Sequence, residues 1–316
     1  MRHLLHLLPL VVVACGKSEP EPEPLPSLEP PPADAGFQVK MFGTAPAYTE
    51  VWLCEVYDIP IDDWAAVNWV QVLQNEGTHH LTLSTTGLGV ERIEPGQYNC
   101  EDLYGDSSLM QDQIMFFGSQ GIAEDELHLP EGVVANMPPG IQVLHEVHYV
   151  NATAEDVPLY SYLNAWTIDQ SEVVDQIWGG QVRDEHIEIP AGGEHTEWTR
   201  CVMNEDVDVL FLASHTHQLG VEFTIAPFDG QQTGEVFYTN TDWHDPLITQ
   251  YDPPLSVPAG TGFEYACTWR NDGPDPVSYG LLATDEMCNL TLVHTPFSMS
   301  ARCEVVETSD GVIWTP

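Results

Sequence analysis

Positive charge is what this 316-residue chain has least of: 8 Lys and Arg stand against 49 Asp and Glu, a formal charge of −41. A polyanion of this kind repels phosphates instead of releasing their counterions, which excludes nucleic acid as a partner. Helical periodicity is missing too. No stretch sustains a heptad or a 3.6-residue repeat of apolar positions, which excludes a helical bundle or coiled coil. The one long apolar run, residues 4–13, is interrupted by His6 and is too short to span a bilayer. No CxxC pair occurs, and no cysteine sits with histidine at zinc-finger spacing.

What is there reads as β-structure. With 43% hydrophobic and 9% aromatic residues, the chain is too apolar for a disordered acidic tail, and its length suggests two domains that can each bury a core. The 24 Gly and 25 Pro favour many turns and short strands. Apolar runs punctuated by turn residues follow that pattern at 67–73, at 79–83 after Gly77, and at 141–150 after Met137-Pro-Pro-Gly140. The pattern restarts near residue 171, with runs at 187–192, 207–213, 221–227, 255–262, 263–269 and 290–294. Short strands at such regular spacing predict an all-β fold of two tandem antiparallel β-sandwich domains, 37–170 and 171–316.

The beginning of the chain carries processing signals. Residues 1–14 read as a secretory signal with Arg2 as the positive n-region, and Val12-Val13-Ala14-Cys15 resembles a bacterial lipobox. Cleavage there would leave Cys15 lipidated, giving an exported bacterial lipoprotein on the periplasmic or cell-surface side, held to the membrane only by that anchor. Residues 15–36 then form a linker whose Glu/Pro stretch favours extended polyproline geometry and repels itself. Part of the acid excess therefore lies in a stalk.

Setting Cys15 aside leaves six cysteines, an even number in a chain bound for an oxidising compartment. Disulfides are the expectation. Six cysteines permit fifteen pairings, and spacing does not choose among them; Cys54 and Cys100 fall in the first half, and Cys201, Cys267, Cys288 and Cys303 in the second.

Thirteen histidines against eight Lys and Arg form the other imbalance. In a strand, residues i and i+2 point to one face, so His215 and His217 can reach a single ion if the run ending at Gly220 is a strand. His79 and His80 are neighbours and point to opposite faces, so both can serve one ion only where the strand twists or bulges. His145 and His148 are three apart, so at most one of them joins a site with that pair. Met287 adds a soft thioether, and imidazole with thioether suits copper, Cu(I) above all, and suits zinc, calcium or magnesium poorly.

Five short motifs in order carry a resemblance: His79-His80, Val147-His148-Tyr149, His215-Thr-His217, Cys267-Thr-Trp269 and Asp285-Glu-Met-Cys-Asn289. Together they resemble the copper type II, ascorbate-dependent monooxygenases. The resemblance implies two jelly-roll domains, each with one copper, facing each other across a solvent-filled cleft. It implies that His79, His80 and His148 hold an electron-relay copper, and that His215, His217 and Met287 hold the catalytic copper, where O2 is the co-substrate. Two copper ions per chain, ascorbate or an equivalent one-electron reductant, and hydroxylation of an aliphatic C–H bond follow as expectations. So does the pairing Cys54–Cys100, Cys201–Cys303 and Cys267–Cys288, with Cys288 steadying Met287.

Departures from the family narrow the substrate. Ala213 stands where the peptide-amidating members carry an arginine, Thr291 where they carry a tyrosine, and Glu146 where they carry a glutamine, while Asn289 is retained as a candidate substrate contact. These changes point to a small, non-anionic substrate. The alternative is a lipoprotein of the same fold that carries or stores copper at the surface without turnover. His145, His244 and His294 receive no role from the sequence.

Overall fold

The computed structural model describes residues 24–59, 61–85, 92–105, 115–244, 248–282 and 284–311. The signal segment 1–14, Cys15 and the first part of the linker lie outside the described residues. The fold is all-β: among those residues 22 strands accompany one five-residue helix and one short 3-10 turn.

The first half contains Gly36–Ala45 (β1), Glu50–Asp58 (β2), Ala65–Gln74 (β3), Thr78–Thr85 (β4), Gly96–Asn99 (β5) and Met115–Gln120 (β6). It continues through Glu124–His128 (β7), Val133–Met137 (β8), Gln142–Val150 (β9), Val157–Ile168 (β10) and Asp175–Gln176 (β11). These make a six-stranded sheet, β1-β10-β3-β8-β11 with β7 on β3, and a five-stranded sheet, β5-β2-β9-β4-β6. All their pairings are antiparallel except β11 on β8.

The second half contains Trp178–Arg183 (β12), Glu188–Ile189 (β13), Gly193–Met203 (β14), Val207–His215 (β15), Gly220–Phe228 (β16) and Tyr238–Asn240 (β17). Thr249–Val257 (β18), Gly262–Asn271 (β19), Val277–Ser278 (β20), Asn289–Thr295 (β21) and Cys303–Thr308 (β22) complete it. They form a four-stranded sheet, β12-β21-β15-β18, a five-stranded sheet, β17-β16-β19-β14-β22, and the small pair β13-β20. Sheet membership passes from one half to the other at Ile177, between β11 and β12.

Alternation with a period of two explains the strands. Phe37, Val39 and Met41 of β1 are buried while Lys40 and Phe42 face out, and Phe263, Tyr265, Cys267 and Trp269 of β19 all point inward. Each half closes over a core drawn from both of its larger sheets. Leu163 of β10 meets Leu81 of β4 and Val143 of β9 in one; Leu212 of β15 and Leu292 of β21 meet Phe223 and Phe263 in the other. Full burial of such a side chain contributes roughly 1.5–3 kcal/mol.

Two features position the site. Strand β9 is buried from Gln142 through Tyr149 because both of its faces are covered. Val143 and Val147 join the first core, while Leu144 on the opposite face packs with Cys54, Val56, Cys100 and Tyr104. The disulfides close Cys54–Cys100, Cys201–Cys303 and Cys267–Cys288, which is the pairing the resemblance implies.

The linker differs from its sequence expectation at its end. Gln38 and Asn164 donate to the backbone carbonyls of Leu28 and Glu29, so the last residues of the Glu/Pro stretch lie along the β1–β10 edge. Extended polyproline geometry leaves those carbonyls unpaired and open to such donors.

Candidate metal centre

The first histidine group is built by register. Trp52 of β2, His148 of β9 and His80 of β4 stand directly opposite one another across three neighbouring strands, on the face that also carries Glu50, Cys54 and Glu146. His79 should point the other way. A bulge brings it round: Thr78 pairs with Tyr149 and His80 with His148, so His79 is the extra residue on β4. This is the irregularity that the adjacent pair requires. His79 Nδ1 stands 3.2 Å from His148 Nδ1, and one ring nitrogen from each of His79, His80 and His148 lies within 4.8 Å of the others.

Carboxylates hold the outer nitrogens. Glu146 Oε1 is 3.0 Å from His80 Nε2, and Glu50 Oε1 is 2.5 Å from His148 Nε2. Tyr104 donates its hydroxyl to the second oxygen of Glu146. Burial pushes the Glu146 carboxyl up, but its hydrogen bonds with His80 and Tyr104 outweigh it and leave the group below its ordinary value. His79 Nε2 and His80 Nδ1 are buried with no hydrogen-bond partner among the described residues.

The second group joins the end of β15 to the turn after it. His215 is the last residue of β15, opposite Asn289 of β21. His217 lies beyond the strand, a correction to the expectation of one strand reaching Gly220; Gly220 instead opens β16 after a tight turn in which its N–H donates to the His217 carbonyl. A Cβ at Gly220 would meet Thr216 Oγ1 at 2.3 Å, so the turn needs glycine there. The two rings still come together, with centroids 5.1 Å apart and planes at 90°.

Glu286 ties this turn to the methionine segment. Its buried carboxylate accepts from the backbone N–H of His217 at 3.0 Å and of Leu219 at 2.6 Å, and from Trp269 Nε1–H at 3.1 Å. Burial raises the group to about 7 despite those donors. The Asp285 carbonyl accepts from His217 Nδ1 at 3.0 Å, which puts the ring proton on Nδ1 and leaves Nε2 as the donor for an ion. Met287 is buried one residue further on, with Asn289 Nδ2 3.2 Å from its sulfur. Asn289, the candidate substrate contact, therefore directs its amide nitrogen at the thioether.

The two groups meet. His79 has its ring centroid 5.3 Å from that of His217 and 6.2 Å from that of His215, and His80 lies 6.3 Å from His215. This corrects the expectation of a solvent-filled cleft between the two sets. Trp243 adds an edge contact on His79 at 5.9 Å.

Burial and neighbouring imidazoles drive His79 far below the ordinary range and His215 well below it. Burial also lowers His148, against the pull of Glu50, and takes His217 down to about 4. These rings are neutral at pH 7, the form that binds a metal ion.

The remaining histidines fall elsewhere. His145 faces the first core, where its Nε2 meets Ser161 Oγ at 2.9 Å. His294 is fully buried on β21, and His244 is exposed against Trp243. Glu50, Trp52, Tyr104 and Glu286 were not singled out by sequence. Only Glu286 had a signal there, as the residue before Met287.

No family model matches the chain, and no curated protein matches it. Among solved structures, one of infectious bursal disease virus strain Gx is similar over 86% of this chain and 76% of its own, at 10% identity and a TM-score of 0.19. A second, of strain Gt of the same virus, covers 88% of this chain and 81% of its own at 9% identity and a TM-score of 0.12. Likeness at that level carries no argument about fold or function.

Proposed function

We propose that the protein is a copper- and ascorbate-dependent monooxygenase of two jelly-roll domains that hydroxylates an aliphatic C–H bond of a small, non-anionic substrate. The observation that carries this reading is the meeting of five histidine rings from two halves of the chain, beside a turn tied to a buried methionine. The donor chemistry fits copper: burial keeps His79, His148, His215 and His217 neutral, two buried ring nitrogens lack partners among the described residues, and a thioether accompanies imidazole.

His79, His80 and His148 would hold one ion, and His215, His217 and Met287 the other. Bound copper would supply one-electron transfer from ascorbate at the first set and oxygen activation at the second. The protein's own part is to orient and exclude water. Glu146 and Glu50 orient rings from outside, Glu286 and the Asp285 carbonyl fix the His217 turn, and Trp243 covers His79. In the overall reaction one oxygen atom enters the substrate and the other leaves as water, taking two electrons and two protons.

Export as a lipoprotein anchored through Cys15 belongs to the same proposal, since it supplies the oxidising compartment that three disulfides need. Reconstitution of the metal-free protein followed by metal analysis tests the reading: two coppers per chain are expected, and one or none contradicts it. Ala213, in place of a cation beside the second set, supports the non-anionic substrate class, which a panel of amines, small alcohols and acyl-glycines separates.

A further inference from the structure

We infer that Glu50 and Glu146 are positioning residues that fix the tautomers of His148 and His80, so that both rings turn Nδ1 toward the metal. This rests on the reading of His79, His80 and His148 as copper ligands.

An ionised carboxylate only accepts, so the ring nitrogen facing it must carry the proton. Glu146 Oε1 faces His80 Nε2 at 3.0 Å, and Glu50 Oε1 faces His148 Nε2 at 2.5 Å. A neutral imidazole protonated at Nε2 has its lone pair on Nδ1. In His80 that Nδ1 is buried without a partner among the described residues, and in His148 it points at His79 Nδ1, 3.2 Å away. In the metal-free protein His79 is then the ring that donates across this contact, and a metal ion would replace its proton.

The outer partners are themselves braced. Cys54 sits opposite Glu146 in the β2–β9 pair, and its disulfide to Cys100 anchors the helix Cys100–Tyr104. Tyr104, the last residue of that helix, donates to the other oxygen of Glu146. A chain of contacts thus runs from disulfide to tyrosine to carboxylate to imidazole. Glu50, on the neighbouring strand β2, is about one-third exposed, at 32%. Histidine ligands oriented by an outer carboxylate are a recurring metal-site device, and losing the partner costs 10–100-fold in metal affinity. Glu146 also adds a negative charge that a glutamine would not, which favours Cu(II) over Cu(I).

The test reads ring tautomers by long-range nitrogen–proton NMR on the full, metal-free chain, then Cu(I) affinity by competition with a chromophoric chelator. The wild type should show His80 and His148 protonated at Nε2. Glu146→Leu should change His80 alone and Glu50→Leu should change His148 alone, each weakening Cu(I) binding by roughly 10–100-fold. Glu146→Gln, whose carbonyl still accepts, should keep the His80 tautomer while raising the reduction potential of the bound copper. Nδ1-protonated rings in the wild type overturn the inference, even if the leucine variants do not fold. Unchanged tautomers or unchanged Cu(I) affinity in folded leucine variants overturn it too. Correct tautomers in a wild type that binds no Cu(I) sink the copper reading instead, and with it the role toward the metal.

Discussion

His79 and His217 come from opposite halves of the chain, yet their rings stand 5.3 Å apart at an interplanar angle of 70°. An extra residue in β4 turns the first ring outward, and a glycine-dependent turn after β15 delivers the second. The two proposed copper sets are therefore neighbours, and several consequences can be measured.

Met287→Ile removes the thioether and keeps an apolar side chain of similar volume. Copper content should fall from two per chain to one, and hydroxylation should be lost. The remaining Cu(II), held by the first set, should broaden the ring resonances of His215 and His217, because His79 touches both. Full activity in the variant contradicts the ligand assignment, and sharp His215 and His217 resonances contradict the contact.

Cys288 follows Met287 and is bonded to Cys267 of β19. Closing that 21-residue separation stabilises the fold by about 3 kcal/mol in the chain-entropy account. Replacing both cysteines by alanine should lower the denaturation midpoint of the second half and weaken the second copper, while the first set keeps its ion. Equal retention of both ions would show that the disulfide does not steady the methionine.

His145 gives a pH dependence that is separate from the metal. Its burial holds the folded pKa at about 3, below the ordinary 6.5. As pH falls below 6.5 the unfolded chain takes up the proton first, so stability is complete above that value and is lost progressively toward pH 3. At pH 5 this costs about 2 kcal/mol relative to neutral pH. The metal-free wild type should therefore lose more stability to urea between pH 7.5 and pH 5 than His145→Gln does. An identical loss in both would rule out the titration.

Much of this was legible in the sequence, and for physical reasons. Alternating apolar positions such as Phe263, Tyr265, Cys267 and Trp269 encode strands locally. The adjacent pair His79-His80 set its own condition, a bulge, because neighbouring strand side chains diverge. The three-residue step from His145 to His148 separated a core residue from a site residue. Other features depend on chain segments distant in sequence. Nothing near Glu50 shows that it will reach His148, since that contact follows from the register of β2 on β9. The two-residue spacing of His215 and His217 suits a strand, yet Glu286 draws the second ring into a turn by accepting its backbone N–H. The closeness of the two sets depends on how the halves pack, which no local pattern records.

Oxygen uptake by the copper-loaded, full-length protein with ascorbate reads turnover itself. Amines, small alcohols and acyl-glycines would be offered in turn under isotopically labelled oxygen. One substrate class should raise oxygen consumption in proportion to a product carrying a single labelled oxygen atom. Two bound coppers with no substrate-dependent uptake and no oxygenated product would contradict it and identify a copper carrier or reservoir.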